Sequence, residues 1–203
     1  MGTAERRQRE AEKRRGDILS AARKVFFEHG FDGATMPQIA AEAELAPGTL
    51  YLYFPGKEAL YVELIMEGYD LLIPRLEAAA KAEGGPEAVG SALVDAFFGF
   101  AREYPAYFDI LFFIIHRENS GTLATRFPQE QVRRLDRRQA ACEQVVSGIL
   151  DQIRPDASEN REILVSAIWS MLAGVVFYFR SRDSFDAVAQ EAKALLLHAL
   201  FRE

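Results

Sequence analysis

The residues best placed to do chemistry lie between Thr35 and Leu60. There TMPQIAAEAELAPGTLYLYFPGKEAL sets hydroxyls, tyrosines and a lysine on two short helical patterns. A break of about four residues separates the patterns, which is the layout of a helix-turn-helix whose second helix enters a DNA major groove. That is a chemistry of contact with a duplex. Bond-making chemistry finds no support. His29, His116 and His198 are the only histidines, and they lie far apart without metal-ligand spacing. No HExxH, no GxSxG and no glycine-rich loop after a strand is present. Glu-x-x-His pairs of the di-iron kind are missing too. Cys142, among Arg137, Arg138 and Glu143 in a helical pattern, makes a poor catalytic candidate. We therefore expect no enzyme, no metal and no cofactor.

Elements must hold those contact residues in place, and the sequence supplies them in order. Ile18, Ala22, Val25 and Phe26 form one apolar helix face from about Asp17, and Gly30 ends it as a left-handed cap. Phe31 is placed to fold back on that face. Thr35 with Gln38 three residues on is a capping box, and Pro37 fits the first turn. Ile39, Ala40 and Ala43 face inward, and Glu44-Leu45-Ala46 makes the turn with Leu45 as its apolar plug. Pro47 opens the second helix, to about Phe54, with Leu50 and Phe54 inward and Thr49, Tyr51, Leu52 and Tyr53 facing out to varying degree. An outward leucine between tyrosines suits contact with thymine methyl groups. Lys57 starts the next helix, where its charge opposes the helix dipole and a phosphate neighbour would account for it.

The IA..A core, GTLY.YF and KEAL together resemble the DNA-binding domain of the TetR family of transcriptional regulators, from about Asp17 to Leu60. Beyond Leu60 the resemblance is one of architecture. It implies phosphate contacts from Thr35, Tyr51, Tyr53 and Lys57. It places Met36, Pro37, Pro47, Gly48, Thr49 and Leu52 near base edges. For Tyr51 a place in the core, and for Lys57 a solvated charge, are the plainer readings. The chain departs from the family at Glu44, where glycine is usual. A Cβ in the left-handed region costs about 1 kcal/mol, so the turn is either strained or slightly different in shape.

Charge agrees with this division. The net charge is −6, yet residues 1–60 balance nine Lys/Arg against nine Asp/Glu, so the acidic excess lies beyond them. Arg6, Arg7, Arg9, Lys13, Arg14 and Arg15 outnumber Glu5, Glu10 and Glu12 at the start. Such an arm either follows DNA phosphates or a minor groove, or is a solvated tail. With 49% hydrophobic residues the chain can bury a sizeable core. Continuous apolar runs such as Ile110 to Ile115 fall far short of the ~20 residues of a membrane span. The charged N-terminus lacks an apolar signal core, and one cysteine suits a reducing compartment, so a soluble cytoplasmic protein is expected.

Every later segment reads as helix. One runs from Glu58 toward Ala82 and is kinked or broken at Pro74. Others run from Pro86 to Tyr104, Pro105 to Arg117, Pro128 to Ile153, Ser158 to Arg182 and Phe185 to Phe201. The fold expected is all-α: an N-terminal three-helix helix-turn-helix domain with its basic arm over residues 1–60, then a helical effector-binding and dimerisation domain over 61–203. Aromatics crowd Ala96 to Ile115 and recur near Trp169. Most are plain core, but the resemblance implies a ligand cavity among them. Phe97, Phe100, Tyr104, Phe108, Phe112, His116, Trp169 and Phe177 are its candidate lining, with Arg117 as a further polar tip, and a hydrophobic or aromatic small molecule its candidate effector. The last two helices carry long apolar faces that would complete the core or join two chains in a four-helix interface. The expected partners are double-stranded DNA, a small-molecule effector and a second copy of the chain, with no membrane. The function expected is a ligand-responsive, repressor-like regulator. The alternative is a helical dimer that binds a protein partner through its aromatic patch.

Overall fold

The computed structural model describes residues 2–114, 127–154 and 160–201, and its described residues are helices joined by short turns. The nine α-helices among them are α1 (Thr3–Gly33), α2 (Met36–Glu42), α3 (Pro47–Tyr53), α4 (Lys57–Ala79), α5 (Pro86–Glu103), α6 (Pro105–Asp109), α7 (Gln129–Ile153), α8 (Arg161–Phe179) and α9 (Phe185–Phe201). A π-helical stretch, Ile110–Ile114, continues α6. The chain forms two compact units. The first holds the described residues up to Glu67 and from Phe127 to Leu135; the second holds those from Gly68 to Ile114 and from Asp136 onward. The first is thus larger than the segment 1–60 read as the DNA-binding part.

In the first unit α1, α2 and α3 surround a core of Ile18, Ala22, Ile39, Leu50, Phe54 and Leu60. Rings extend it. Phe31 lies 4.7 Å from Tyr61 and 5.5 Å from Phe127, and Tyr61 meets Phe26 edge-on at 5.1 Å. The charged N-terminal arm extends the first helix, which begins at Thr3, well before Asp17. Helical conformation breaks at Gly30 (φ 68°), where the cap was expected, and the Ala34 N–H closes the turn on the Gly30 carbonyl at 3.1 Å.

The second unit is built around Phe97, whose ring meets Phe98, Phe108, Phe112 and Trp169 at 5.0–5.8 Å between centroids. The three phenylalanine pairs are edge-on and Trp169 is tilted; aromatic pairs of this kind add about 0.5–1.5 kcal/mol each beyond area burial. Arg180 grips both carboxylate oxygens of Asp109, at 2.7 and 2.9 Å. Pro74 does not end its helix: α4 runs through it to Ala79, short of Ala82. By length and composition alone α8 is apolar enough to cross a bilayer, a weak signal that the core helix of a globular fold shares; serine and glycine interrupt its apolar residues, so no uninterrupted run reaches that length.

The turn between α2 and α3 resolves the question posed by Glu44. The Leu45 N–H reaches back to the Ala40 carbonyl (2.8 Å) and the Glu44 N–H to the Ala41 carbonyl (3.1 Å), the paired bonds of a Schellman cap. That cap requires a left-handed residue after its C-cap, and Glu44 supplies it at φ 54°. The turn therefore keeps its ordinary shape and carries the strain of a Cβ in it. Replacing Glu44 with glycine removes about 1–2 kcal/mol of left-handed strain against about 0.5–1 kcal/mol of added unfolded-state freedom. Glu44→Gly is expected to raise the urea midpoint by a net stabilisation of about 0.5–1 kcal/mol; a lowered midpoint would show that the turn is not strained.

Candidate nucleic-acid interface and helical cleft

The outward surface of α3 is set by what its inward side buries. Leu50 is fully buried and Phe54 nearly so, which turns Leu52 out at 83% exposure and Tyr51 at 52%. Tyr51 is therefore not a core tyrosine. Tyr53 and Thr49 are half-buried, and Pro47 and Gly48 lie at the exposed start of the helix. A Cβ built on Gly48 meets nothing within 4 Å, so the fold itself has no need of a glycine there.

At the start of α2 the capping box forms as expected. The Gln38 amide oxygen accepts from the Thr35 N–H at 2.9 Å and from its hydroxyl at 2.7 Å, and Thr35 Oγ1 accepts from the Gln38 N–H at 3.4 Å. Pro37 is exposed beside it. Met36, expected at base edges, is buried at 7% exposure, so its side chain belongs to the core under α2. No local sequence signal decides this, since a methionine directly after an N-cap threonine faces either way and only packing settles it.

Lys57 has a task the sequence did not disclose. Its ammonium donates to the carbonyls of Phe31 (2.9 Å), Ala34 (3.1 Å) and, more loosely, Asp32 (3.4 Å). It also stands 4.6 Å above the Phe31 ring. These carbonyls close the last turn of α1, where backbone acceptors lack helical partners and a cation is favoured. Lys57 is therefore not a merely solvated charge: it ties the end of α1 to the start of α4.

Charge also fixes the outer side of this unit. Glu63 accepts from Arg15 (3.1 Å) and Arg134 (3.0 Å), Arg23 pairs with Glu67 (2.9 Å), and the Arg15 guanidinium lies 4.3 Å over the Phe54 ring. Arg15 is thus anchored, while the arm residues from Arg6 to Arg14 are exposed.

In the second unit a cleft of about 1440 Å³ opens between α7, α8, α4 and the π-helical stretch. Of the residues expected to line a cavity, Phe112 and Trp169 do so. Phe97, Phe100 and Phe108 are fully buried in the aromatic core. Tyr104 is half-buried, with the Arg75 guanidinium 5.2 Å from its ring. Phe177 is 61% exposed on α8 against Tyr178, away from the cleft lining. His116 and Arg117 lie outside the described residues. The sequence reading missed the polar walls: Gln139, Glu143 and Ser147 at four-residue steps on α7, and Glu162, Ser166 and Ser170 at the same step on α8. Their spacing was visible, but a polar stripe on a helix ordinarily faces water. Cys142 is buried at the cleft edge, where burial, reinforced by Glu143, pushes its thiol up to about 12. It stays protonated and unreactive at neutral pH. Among the described residues no cluster of His, Cys, Asp and Glu could hold a metal.

Lys57→Ala removes three charge-assisted bonds and leaves helix-end carbonyls without their donor. We expect a loss of about 2–3 kcal/mol, since hydrogen bonds to charged groups contribute about 1.5–3 kcal/mol each and partial exposure discounts the sum. Thermal melting followed by circular dichroism reads it; an unchanged midpoint would remove the tie.

Residues 18–64 match the model of the bacterial regulatory proteins of the tetR family. The chain is 41% identical over 68 residues to the HTH-type transcriptional regulator UidR of Escherichia coli, covering 34% of this chain and 35% of UidR. To RutR of the same organism it is 32% identical over 103 residues, covering 51% of this chain and 48% of RutR. The chain thus aligns with between a third and a half of the length of these relatives. Across nearly its whole length it shares the fold of a tetR-family regulatory protein from Rhodococcus RHA1, with a TM-score of 0.73 at 19% identity, covering 93% of this chain and 97% of that one.

Proposed function

We propose that this chain, which carries the DNA-binding segment of the tetR family of bacterial regulatory proteins, is a dimeric transcriptional regulator. It reads double-stranded DNA through α3 and answers a small molecule held in its second unit. The observation that supports this best is Leu52, 83% exposed beside Tyr51 on a seven-residue helix held by a Schellman turn. An apolar side chain so exposed has no use in the fold, and thymine methyl groups are its natural partners in a major groove. Tyr51, Tyr53 and Thr35 are placed to meet phosphates, and Pro37, Pro47, Gly48 and Thr49 to border the bases. Gly48 leaves room for the duplex, since the space before it is open. Lys57 acts through position, by holding α1 against α4. The exposed cations from Arg6 to Arg14 add salt-sensitive attraction to the backbone.

Two copies are needed because one short helix reads only a few base pairs, whereas a two-fold dimer reads two half-sites about 34 Å apart or a multiple of it. The last two helices suit that role. Ile163, Met171 and Tyr178 recur at seven- and eight-residue intervals on α8 and are 69%, 54% and 64% exposed; Leu195 on α9 is 62% exposed. A face of this kind is covered in a four-helix interface. The effector would occupy the cleft and bind the two dimer spacings with different affinity, releasing the operator as a repressor does. The alternative, a protein-binding aromatic patch, loses ground because Phe97, Phe100 and Phe108 are inside.

Gel shifts with DNA from immediately upstream of the chain's own gene test the reading. Leu52→Ala is expected to weaken selective binding about tenfold, the size of one poorly read base pair, with melting unchanged. Equal binding to that DNA and to unrelated DNA would sink it. Met171→Glu places a charge on the α8 face and is expected to give a folded monomer in sedimentation, with DNA affinity reduced at least about tenfold. A Met171→Glu protein that stays dimeric would move the interface elsewhere.

A further inference from the structure

The cleft of the second unit has a charge of its own. Arg161, the cation on its wall, is paired with Asp151. Glu143 and Glu162 also line it, and among the described residues neither is paired with a lysine or arginine. Glu143 is oriented by the Gln139 amide, which donates to its Oε1 at 2.9 Å. Across the same cleft Phe112 and Trp169 make an aromatic corner, with centroids 5.4 Å apart and planes tilted by 44°. Leu111 and Phe112 on that wall lie in the π-helical stretch, a geometry that recurs at ligand sites.

Carboxylates without cationic partners beside electron-rich ring faces form an environment that attracts positive charge and repels carboxylate ligands. The neighbouring groups feel the same field. Burial raises both the Tyr69 phenol and the Cys142 thiol; Cys142 adds to the rise at Tyr69, Glu143 raises each further, and Arg138, itself paired with Asp70, lowers the thiol. Both groups stay neutral at physiological pH.

We propose that the cleft binds an organic cation: an amine, guanidinium or quaternary ammonium group on an aromatic or apolar body. The body would lie against Trp169, Phe112 and Leu111, and the cationic head would meet Glu143, with Glu162 adding attraction. This rests on the effector reading for its regulatory meaning, and it replaces a merely hydrophobic ligand by one whose charge is specified.

Trp169 is the chain's single tryptophan, so its fluorescence reports the cleft directly. Phenylbutylamine, phenylbutanol and phenylbutyrate share one body and differ only in head-group charge. Titrated into the dimeric full chain at neutral pH, the amine is expected to bind about tenfold tighter than the alcohol, with the carboxylate weakest. Glu143→Gln, at an exposed position that should not disturb folding, is expected to remove most of the amine's advantage and leave the alcohol unchanged. Equal binding of amine and alcohol, a preference for the carboxylate, no fluorescence response to the amine, or an unaltered preference in Glu143→Gln would each overturn the proposal. The same ligands added to the DNA complex separate the two claims. An amine that binds but leaves DNA affinity unchanged sinks the effector reading and not the cation site. A neutral or anionic probe that releases DNA through the cleft does the reverse.

Discussion

The first unit of this protein depends on a lysine whose charge is spent on backbone carbonyls. α2 and α3 are each seven residues long, too short to be stable as isolated helices, and they hold their angle only because α1 and α4 clamp them. Lys57 fastens that clamp at the point where α1 ends and α4 begins. The rings of Phe26, Phe31, Tyr61 and Phe127 close over the same junction. A buried apolar contact alone would permit the helices to slide, whereas bonds to three consecutive-turn carbonyls fix register. The exposed face of α3 is the consequence: with Leu50 and Phe54 committed inward, Leu52 and Tyr51 have nowhere to point but out.

Glu44 shows how such a frame tolerates a locally poor residue. Its φ of 54° is the only positive value at a non-glycine residue among those described, and it sits in the turn that sets the angle between α2 and α3. The two Schellman bonds on either side of it outweigh the strain. A sequence feature that suggested altered geometry thus reflects a turn of ordinary shape that holds an unusual side chain.

Much of the first unit was legible because its signals are local. Thr35 with Gln38, Pro47 at a helix start and Gly30 at a helix end each act within a turn of chain, and each appears where the spacing put it. The tie made by Lys57 and the burial of Met36 were not legible because their partners are distant in sequence: Lys57 reaches back to Phe31 and Ala34, and Met36 is settled by packing. The cleft was legible only in part for the same reason. Aromatic content located Phe112 and Trp169, yet most of the aromatic segment forms a packed core around Phe97. The polar stripes on α7 and α8 resemble solvated faces until two helices are seen to share one cleft. Exposed apolar side chains on α8 and α9 agree with long apolar faces read from sequence, because an uncovered face leaves its periodicity intact.

If two copies of this frame present α3 to successive major grooves of one duplex, hydroxyl-radical footprinting on DNA from beside the chain's own gene will show two protected patches on each strand, related by two-fold symmetry and centred about 34 Å apart or a multiple of it. A single unsymmetrical patch, or uniform protection that follows protein concentration without regard to sequence, would contradict it.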